Sequence, residues 1–459
     1  MSNKSGKAGV TIVILGAIIL VALVPWYFVL SRHFSNDDTL GQTPPPAEES
    51  PLVDSEPEAG QTPDPEPEPE PAPLPPVEQE AEEEPEYEET VAGIAETHPG
   101  LLKELNNVAS QYNCISASLV VFDGDTGEYF TYEYGYADKD ERQKANIDTK
   151  FRVASLAKLT TAVCAMKLVD EDLLDLDTDI STYFGYEVIN INFPETQITA
   201  RMLMQHTSSL FDSGAFQVSR DRNSSEPVRY LIEIGSSFRR NRPGTHFEYS
   251  NFGYAVLGAL CERVSGKTLD TLAREVLFEP LDIDAAYVPD RLLDTENIAV
   301  LYNSDHTATQ SVQAQLDIGE SELLGHDLHL AQGNLTISML DYARILAMLI
   351  NGGALGGVRI LSAEAVNDMH NANVQGIDYK QGLATRFSSG DFIEHEDFYW
   401  HTGSSFGLFA QYVYSKEISR GVVSVTTGAT IERSESGMID VCTELSRIAW
   451  SVFDIEEEE

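Results

Sequence analysis

The chain opens with a long apolar segment, and no regular alternation of apolar and polar positions appears until about residue 100. Residues 9–30 carry no charge and are mostly apolar. A bilayer core of about 30 Å requires roughly 20 such residues in a helix, so the pattern predicts a transmembrane helix over 9–30 after a short tail, 1–8. Lys4 and Lys7 precede the segment. Because positive residues favour the cytoplasmic side, we expect the N-terminus in the cytoplasm and everything after residue 34 outside the cell.

A cleaved signal peptide is the alternative interpretation of residues 9–30. Signal peptides have an apolar region of about 7 to 15 residues that ends at small residues. This segment is longer and ends near Trp26, Tyr27 and Phe28, and aromatic residues gather at membrane interfaces. We therefore favour an uncleaved, single-pass anchor with its N-terminus in the cytoplasm.

Residues 31–99 are rich in acidic residues and prolines and show no pattern of apolar residues that could form a hydrophobic core. Between Phe34 and Pro99 there is no Lys or Arg, and a Pro-Glu run reads PDPEPEPEPAPLPP. Such a chain cannot bury enough apolar surface to fold, and the repulsion between its acidic side chains keeps it extended. We expect a disordered linker over 31–99, which either carries the rest of the chain into a cell wall or only solubilises it.

Residues 100–455 show two kinds of apolar periodicity that are segregated along the chain. Period-two runs begin near Ile115 and Glu128, and again after Gly407 and Gly421, so strands are expected near both ends. Helical periods fill the middle and return at the end, over 156–170, 252–264, 338–351 and 436–452. This segregation predicts one α+β domain with an antiparallel sheet built from both ends of the chain.

Charge and cysteine content narrow the possible functions. The formal net charge is −44, and the excess of acidic residues extends into the folded part. Nucleic acids and anionic membrane surfaces bind basic patches, so we expect no nucleic-acid partner. The four cysteines, Cys114, Cys164, Cys261 and Cys442, form no C-x-x-C pair. Cys164 and Cys261 fall within apolar helical patterns, which favours buried free thiols over disulfides.

A G-x-S-x-G pattern at Gly403, Ser405 and Gly407 suggests the nucleophile elbow of α/β-hydrolases. That elbow requires a helix after the serine and a histidine later in the chain. The residues after Gly407 alternate as a strand, and no histidine follows His401. Ser405 is therefore not predicted to be the nucleophile.

Ser155 and Lys158 are better candidates for nucleophilic chemistry. They stand three residues apart at the start of a helical pattern, so they share a helix face. A lysine can take the proton of a serine hydroxyl when burial or nearby charge lowers its pKa, and the residues around Lys158 are apolar or small. An isolated S-x-x-K is a weak signal, because a solvated lysine after a helix cap has the same spacing.

Two further short motifs contain groups that suit the same reaction. Tyr249 and Asn251 precede a helix; a tyrosine can share a proton with a lysine, and an asparagine can hold an amide. The alternative makes Asn251 a helix cap. On a predicted strand, Gly403 of His401-Thr402-Gly403 leaves space for a substrate backbone, and the N–H after it can face an oxyanion.

In this order, Ser155-x-x-Lys158, Tyr249-x-Asn251 and His401-Thr402-Gly403 resemble the three signature motifs of the serine β-lactamase and penicillin-binding protein superfamily. The tyrosine variant resembles the branch that contains class C β-lactamases, D-alanyl-D-alanine carboxypeptidases, D-amino-acid amidases and esterases. The resemblance implies a β-lactamase/transpeptidase-like fold, with an antiparallel sheet flanked by helices, an all-helical subdomain and the site between them.

The resemblance also implies roles for these residues. Ser155 would be the acylated nucleophile, Lys158 and Tyr249 would share general base and acid duty, and Asn251 would orient the substrate amide. The N–H groups of Ser155 and Ser404 would form the oxyanion hole.

On the strand, the resemblance places His401, Thr402 and Gly403 against the substrate's carboxylate or leaving group. No metal or cofactor is implied. His401 replaces the lysine usual in β-lactamases. Ser209 replaces the glycine of the usual H-T-S-G-L motif, and this puts the local turn in doubt, because only glycine adopts a positive φ without cost.

These patterns together favour a membrane-anchored, extracytoplasmic serine hydrolase that acts on D-amino-acid peptide or amide bonds of peptidoglycan. A carboxylesterase or β-lactamase of the same family is the alternative, and His401 favours an esterase. A non-hydrolysing β-lactam sensor is a third hypothesis, against which the intact Ser155, Lys158 and Tyr249 count.

Overall fold

A computed structural model describes residues 89–218, 227–321, 323–376, 378–390, 392, 396–431 and 437–454. The predicted anchor at 9–30 and the linker up to residue 88 lie outside these residues. Within the described part of the chain, no helix combines the length and apolarity needed to cross a membrane.

The strands form one large sheet and three small ribbons. In chain order they are β1 Thr90–Gly93, β2 Ser116–Asp123, β3 Glu128–Asp138, β4 Gln143–Lys144, β5 Phe151–Arg152, β6 Leu301–Tyr302, β7 Ala308–Gln310, β8 Thr336–Ile337, β9 Ala354–Leu355, β10 Val358–Arg359, β11 Val374–Gln375, β12 Lys380–Gln381, β13 Arg386–Ser389, β14 Asp397–Ser405, β15 Leu408–Ser415 and β16 Arg420–Thr427. The large sheet has the order β1-β3-β2-β16-β15-β14-β13-β12-β11, with β4 paired to β3. Strands from both ends of the folded chain therefore meet at its centre, where β2 pairs with β16, as the sequence predicted.

The α-helices occupy the middle of the described chain and both of its ends. They are α1 Ile94–Thr97, α2 Pro99–Gln111, α3 Ala157–Asp170, α4 Ser181–Phe184, α5 Ala200–Met204, α6 Gly214–Val218, α7 Pro227–Glu233, α8 Asn251–Ser265, α9 Leu269–Ala273, α10 Val312–Leu316, α11 Leu330–Gly333, α12 Met339–Ile350, α13 Ala363–His370 and α14 Asp440–Trp450. The predicted helices correspond to α3, α8, α12 and α14. The α+β fold class is confirmed.

The large sheet is mixed, which corrects the expectation of an antiparallel sheet. β1 runs parallel to β3, with Val91 opposite Tyr129. The other described pairings in this sheet are antiparallel. The exception arises because α1, α2 and β2 separate β1 from β3 along the chain, and such a crossover can return the chain in the same direction.

The folded domain begins before residue 100, so the linker predicted over 31–99 is too long at its C-terminal end. Thr90–Gly93 is a strand, Ile94 is fully buried, and Glu89 pairs with Arg344 at 2.6 Å. The stretch from Val91 to Ala95 has no charged residue, unlike the acidic run before it, and its Ile94 side chain can therefore be buried.

Two hydrophobic cores lie on opposite faces of the sheet. One includes Leu105 of α2, Leu445 of α14 and Trp400 of β14. The other includes Leu159 of α3 and Tyr412 of β15, together with most of the helical middle. Side chains alternate between the two faces of a strand. β14 therefore contributes Phe398 and Trp400 to the first core and turns the residue between them toward the second core. All four cysteines are buried and free, which agrees with the interpretation of Cys164 and Cys261 as buried thiols.

Candidate active site

Ser155 lies in a short 3₁₀ turn, Ala154–Leu156, between β5 and α3. Ala154 has a φ of +50°, a left-handed conformation that non-glycine residues rarely adopt. Such strain persists only where the surroundings hold it, and it clusters at functional sites. Here β14 holds the turn from one side, because a Cβ added at Gly403 would lie 2.4 Å from the carbonyl oxygen of Val153. Glycine at position 403 thus allows the strand to approach the candidate nucleophile.

Lys158 is fully buried, and its Nζ has three hydrogen-bond acceptors. It lies 3.2 Å from Ser155 Oγ, 2.9 Å from Asn251 Oδ1 and 2.6 Å from the carbonyl oxygen of Gln332. The sequence suggested an apolar setting for this amine, whereas the fold surrounds it with oxygen atoms. The contact with Ser155 provides a direct path for the proton of the serine hydroxyl.

Asn251 is the first residue of α8, and the structure rejects its interpretation as the helix cap. Ser250 is the N-cap, since its hydroxyl accepts the N–H of Gly253 at 2.9 Å. Asn251 instead donates through Nδ2 to Asp212 at 2.7 Å, while the same carboxylate accepts the N–H of Phe252 at 2.9 Å. Asp212 therefore fixes the amide so that its oxygen faces Lys158.

Tyr249 lies beside the lysine and between two histidines. Its ring centroid is 5.1 Å from Lys158 Nζ, 4.4 Å from the His206 ring and 6.1 Å from the His401 ring. Nδ1 of His206 accepts the N–H of Ser250 at 3.1 Å. Burial, followed by the charges of Lys158 and Arg386, holds the pKa of His206 well below its usual range. The imidazole of His206 that lies against the Tyr249 ring is therefore neutral.

His401 is also neutral, although it stands at the position of a lysine in β-lactamases. Its Nδ1 lies 2.8 Å from the carbonyl oxygen of Thr402; because a carbonyl only accepts, Nδ1 carries the proton. Burial, followed by the charges of Arg386 and Lys158, holds the pKa of His401 well below its usual range. The third motif therefore contributes no positive charge of its own.

Arg386 on the neighbouring strand β13 carries a positive charge close to this motif. It pairs with Trp400, one residue before His401, and its guanidinium lies 5.9 Å from the Tyr249 ring centroid. The rings of Tyr379 and Trp400 lie 4.6 and 4.9 Å from the same group. Its buried Nε finds no hydrogen-bond partner among the described residues. Arg386 could not be identified from the sequence, because only the register of β13 on β14 brings it close to the motif at His401.

An open cavity of about 320 Å³ contains the candidate nucleophile. Its lining includes Arg152, Ser155, Asn251, Gln332, Ser404 and Ser405. The structure thus brings Ser155, Lys158, Tyr249 and Asn251 together with the strand that carries His401, Thr402, Gly403 and Ser404. Asp212, His206, Gln332 and Arg386 are additional residues of the site. No metal-binding group of three His, Cys, Asp or Glu side chains occurs in the described ranges.

Comparison with known proteins decides the family. The model of the beta-lactamase family matches residues 89–438, which is more than half of the 459-residue chain. The chain belongs to the beta-lactamase family. As a member of this family, the protein is a serine hydrolase.

The beta-lactamase-family domain is similar to several known proteins. Penicillin-binding protein 4 of Amycolatopsis lactamdurans is 25% identical over 331 residues, which cover 68% of this chain and 81% of the relative. A beta-lactamase/D-alanine carboxypeptidase from Pseudomonas syringae shares the fold with a TM-score of 0.60 and 18% identity, over 78% of this chain and 99% of that chain. A class C beta-lactamase from Rhodobacter sphaeroides gives a TM-score of 0.59 and 18% identity, over 76% and 98% of the two chains.

The turn at Ser209, which the sequence put in doubt, is kept in this beta-lactamase-family domain. Ser209 has a φ of +66°, in the region that favours glycine. Asn190 donates through Nδ2 to Ser209 Oγ at 2.9 Å and to the carbonyl oxygen of Arg239 at 2.8 Å. These hydrogen bonds offset the conformational cost of a non-glycine residue.

Proposed function

We propose that the protein is a membrane-anchored, extracytoplasmic hydrolase that forms an acyl-enzyme on Ser155 and cleaves D-amino-acid peptide or amide bonds of peptidoglycan. The observation that carries this proposal is the contact of Lys158 Nζ with both Ser155 Oγ and Asn251 Oδ1. This contact supports the roles of Lys158 as proton acceptor, Ser155 as nucleophile and Asn251 as amide-orienting group, and Ser155 and Asn251 line a solvent-open cavity.

The proposed reaction has two steps. Ser155 Oγ attacks the scissile carbonyl while its proton passes to the Lys158 and Tyr249 pair, and the carbonyl oxygen becomes an oxyanion held by the N–H groups of Ser155 and Ser404. The pair then returns the proton to the departing amine, and the C–N bond breaks to leave an ester on Ser155. A water molecule hydrolyses that ester by the same proton route, which releases the acid and restores the hydroxyl.

The charge distribution supports a leaving group with a carboxylate. The proton-transfer residue Tyr249 lies next to His401, so the leaving group departs toward this end of β14. The guanidinium of Arg386, always charged, lies near the same end, and its Nε has no hydrogen-bond partner in the part of the chain that the structure describes. A D-amino acid that leaves from a peptide has a free carboxylate, which can pair with this group. The similarity of the chain to a penicillin-binding protein and to a beta-lactamase/D-alanine carboxypeptidase supports such a substrate.

The cell-wall location rests on the N-terminal sequence. Residues 9–30 are apolar enough for an anchor, and the acidic linker after them has the composition of an extended spacer. A spacer of this kind holds a domain away from the membrane, within reach of peptidoglycan.

The first test is intact-protein mass spectrometry of the purified full-length chain after incubation with a penicillin. Wild type should gain the mass of the opened penicillin, and Ser155→Ala should not. Release of D-alanine from an acyl-D-alanyl-D-alanine peptide, again dependent on Ser155, tests the substrate. An adduct that persists in Ser155→Ala would refute Ser155 as the acylated residue.

An esterase is the second candidate, and the neutral state of His401 favours it. A neutral side chain in the third motif does not by itself select an anionic leaving group. Ser155-dependent turnover of p-nitrophenyl esters without release of D-alanine from the peptide would support this candidate over the first.

A further inference from the structure

We propose that Tyr379 is a positioning residue whose ring holds the Arg386 guanidinium in the orientation that binds the terminal carboxylate of the substrate. This inference rests on the proposed function, because it assigns a supporting residue to the carboxylate contact of Arg386. Tyr379 stands directly before β12, and Arg386 is the first residue of β13, which pairs with β12. The hairpin formed by these two strands brings the two side chains together.

Aromatic rings, rather than acidic side chains, hold the guanidinium of Arg386. It lies over the ring of Tyr379 at 4.6 Å and over the ring of Trp400 at 4.9 Å. The two rings meet at an angle of 79°, so the guanidinium lies in the corner between them. Among the residues that the structure describes, no hydrogen bond or ion pair is made by the Arg386 side chain. Because a ring face attracts a cation without using its N–H groups, those donors stay available for a ligand.

The ring of Tyr379 is itself fixed by its neighbours. Tyr379 is buried, and its ring packs edge to face against Trp400 at 5.5 Å and against Phe247 at 6.0 Å. A Cβ at Gly376 would lie 2.6 Å from the Tyr379 ring, so glycine at that position leaves space for the ring. A long arginine side chain loses rotamer freedom when it binds a ligand, and a fixed ring beside it lowers that cost in advance.

The charge state of the neighbouring motif makes the orientation of Arg386 important. His401 is neutral, because burial and the nearby positive charges hold its pKa well below the usual range. A carboxylate on the leaving group therefore depends on Arg386 for its positive partner at this end of β14. Loss of the Tyr379 ring should weaken the use of substrates with a terminal carboxylate and should affect neutral substrates little.

The test compares an acyl-D-alanyl-D-alanine peptide with the same peptide amidated at its C-terminus, using the full-length chain. In Tyr379→Leu, the ratio of kcat/KM for the free peptide to kcat/KM for the amidated peptide should fall about five-fold, as expected for the loss of one cation–π contact. Tyr379→Phe keeps the ring and should keep the ratio. In an Arg386→Gln background, Tyr379→Leu should change the ratio less than about two-fold, because the ring acts through the arginine.

Tyr186→Leu is the matched control, because the ring of Tyr186 also lies 4.9 Å from an arginine, Arg229. This variant should leave the ratio unchanged. Ser155-dependent release from both peptides with an unchanged ratio in Tyr379→Leu would overturn the role of Tyr379 alone. A five-fold fall that persists in the Arg386→Gln background would also overturn it, since Tyr379 would then act without the arginine. Absence of Ser155-dependent release from the free peptide would overturn the proposed function and the role of Tyr379 with it.

Discussion

The helix side and the strand side of the active site, called here the helix wall and the strand wall, differ in how their buried polar atoms are paired. On the helix wall, formed by Lys158, Asn251 and Asp212, each side chain makes hydrogen bonds with the others or with the backbone. On the strand wall, formed by Arg386 and Ser405, Nε and Oγ have no described partner. Groups for the chemical step need fixed positions before substrate arrives, whereas groups that bind substrate need free donors and acceptors.

This difference predicts two kinds of mutational effect. Changes on the helix wall should slow every substrate to a similar degree, because they disturb the reacting atoms. Changes on the strand wall should depend on the substrate, because they remove a contact that only some substrates make.

The largest effect is expected for Lys158→Met. The variant retains an apolar stem but loses the amine next to Ser155, so kcat/KM should fall at least about 10³-fold for peptide and ester substrates alike. Steady-state kinetics on one substrate of each kind measures this. Lys167→Met, at a partly exposed position of the same helix where the amine pairs with Glu171, is the control and should retain activity. A loss of kcat/KM confined to one substrate class would contradict the expectation that changes on the helix wall affect all substrates to a similar degree.

Arg386→Gln should have the next largest effect, on the strand wall. For an acyl-D-alanyl-D-alanine peptide, kcat/KM should fall about 10- to 100-fold, because a charge-assisted hydrogen bond to the terminal carboxylate is lost. The same peptide with an amidated C-terminus should change less than about three-fold. Arg229→Gln, an exposed arginine of α7, controls for overall charge. Equal losses for both peptides would show that Arg386 does not bind the carboxylate.

Asp212→Asn should have a moderate effect on the helix wall. The new amide can turn a donor toward Asn251, which removes the force that keeps the Asn251 oxygen on Lys158. We expect kcat to fall about ten-fold with a smaller change in KM, since a positioning contact is lost. The ratio of rates for peptide and ester should stay constant; a change in that ratio would place Asp212 in substrate binding.

The smallest effect concerns stability below pH 6.5. The pKa of His401 is depressed in the folded state, so the unfolded chain takes up a proton first as the pH falls, and stability is lost with decreasing pH. Between pH 7 and 5.5 this loss amounts to about 1 kcal/mol for one histidine. Urea unfolding at both pH values should show a smaller loss in His401→Gln than in wild type.

A comparison of the two proteins isolates the histidine from other titrating groups. Burial raises the pKa of Glu133 and of Glu262 to about 7, and these carboxyl groups act in the opposite direction. They are present in both proteins, so their contribution cancels in the difference. An identical pH dependence for wild type and His401→Gln would show that His401 is not buried in a neutral form.

Much of the site was predictable because its residues are close together in sequence. Ser155 and Lys158 share one helical turn, Tyr249 and Asn251 flank a helix start, and the alternation after Gly407 correctly excluded a nucleophile elbow. By contrast, the sequence did not show that Ser405 lines the cavity, since the path of β14 past the nucleophile turn decides that placement.

The sequence by itself determined the α+β class, the main helices and strands, and the three motifs, because periodicity and short motifs are local properties. Only the tertiary structure decided which charges and hydrogen bonds act on those motifs. Arg386 meets Tyr249 through the register of β13 on β14, and Gln332 meets Lys158 through the packing of α11 on α3. It also decided that β1 joins the sheet in parallel, since the pairing of distant segments depends on which surfaces are buried together.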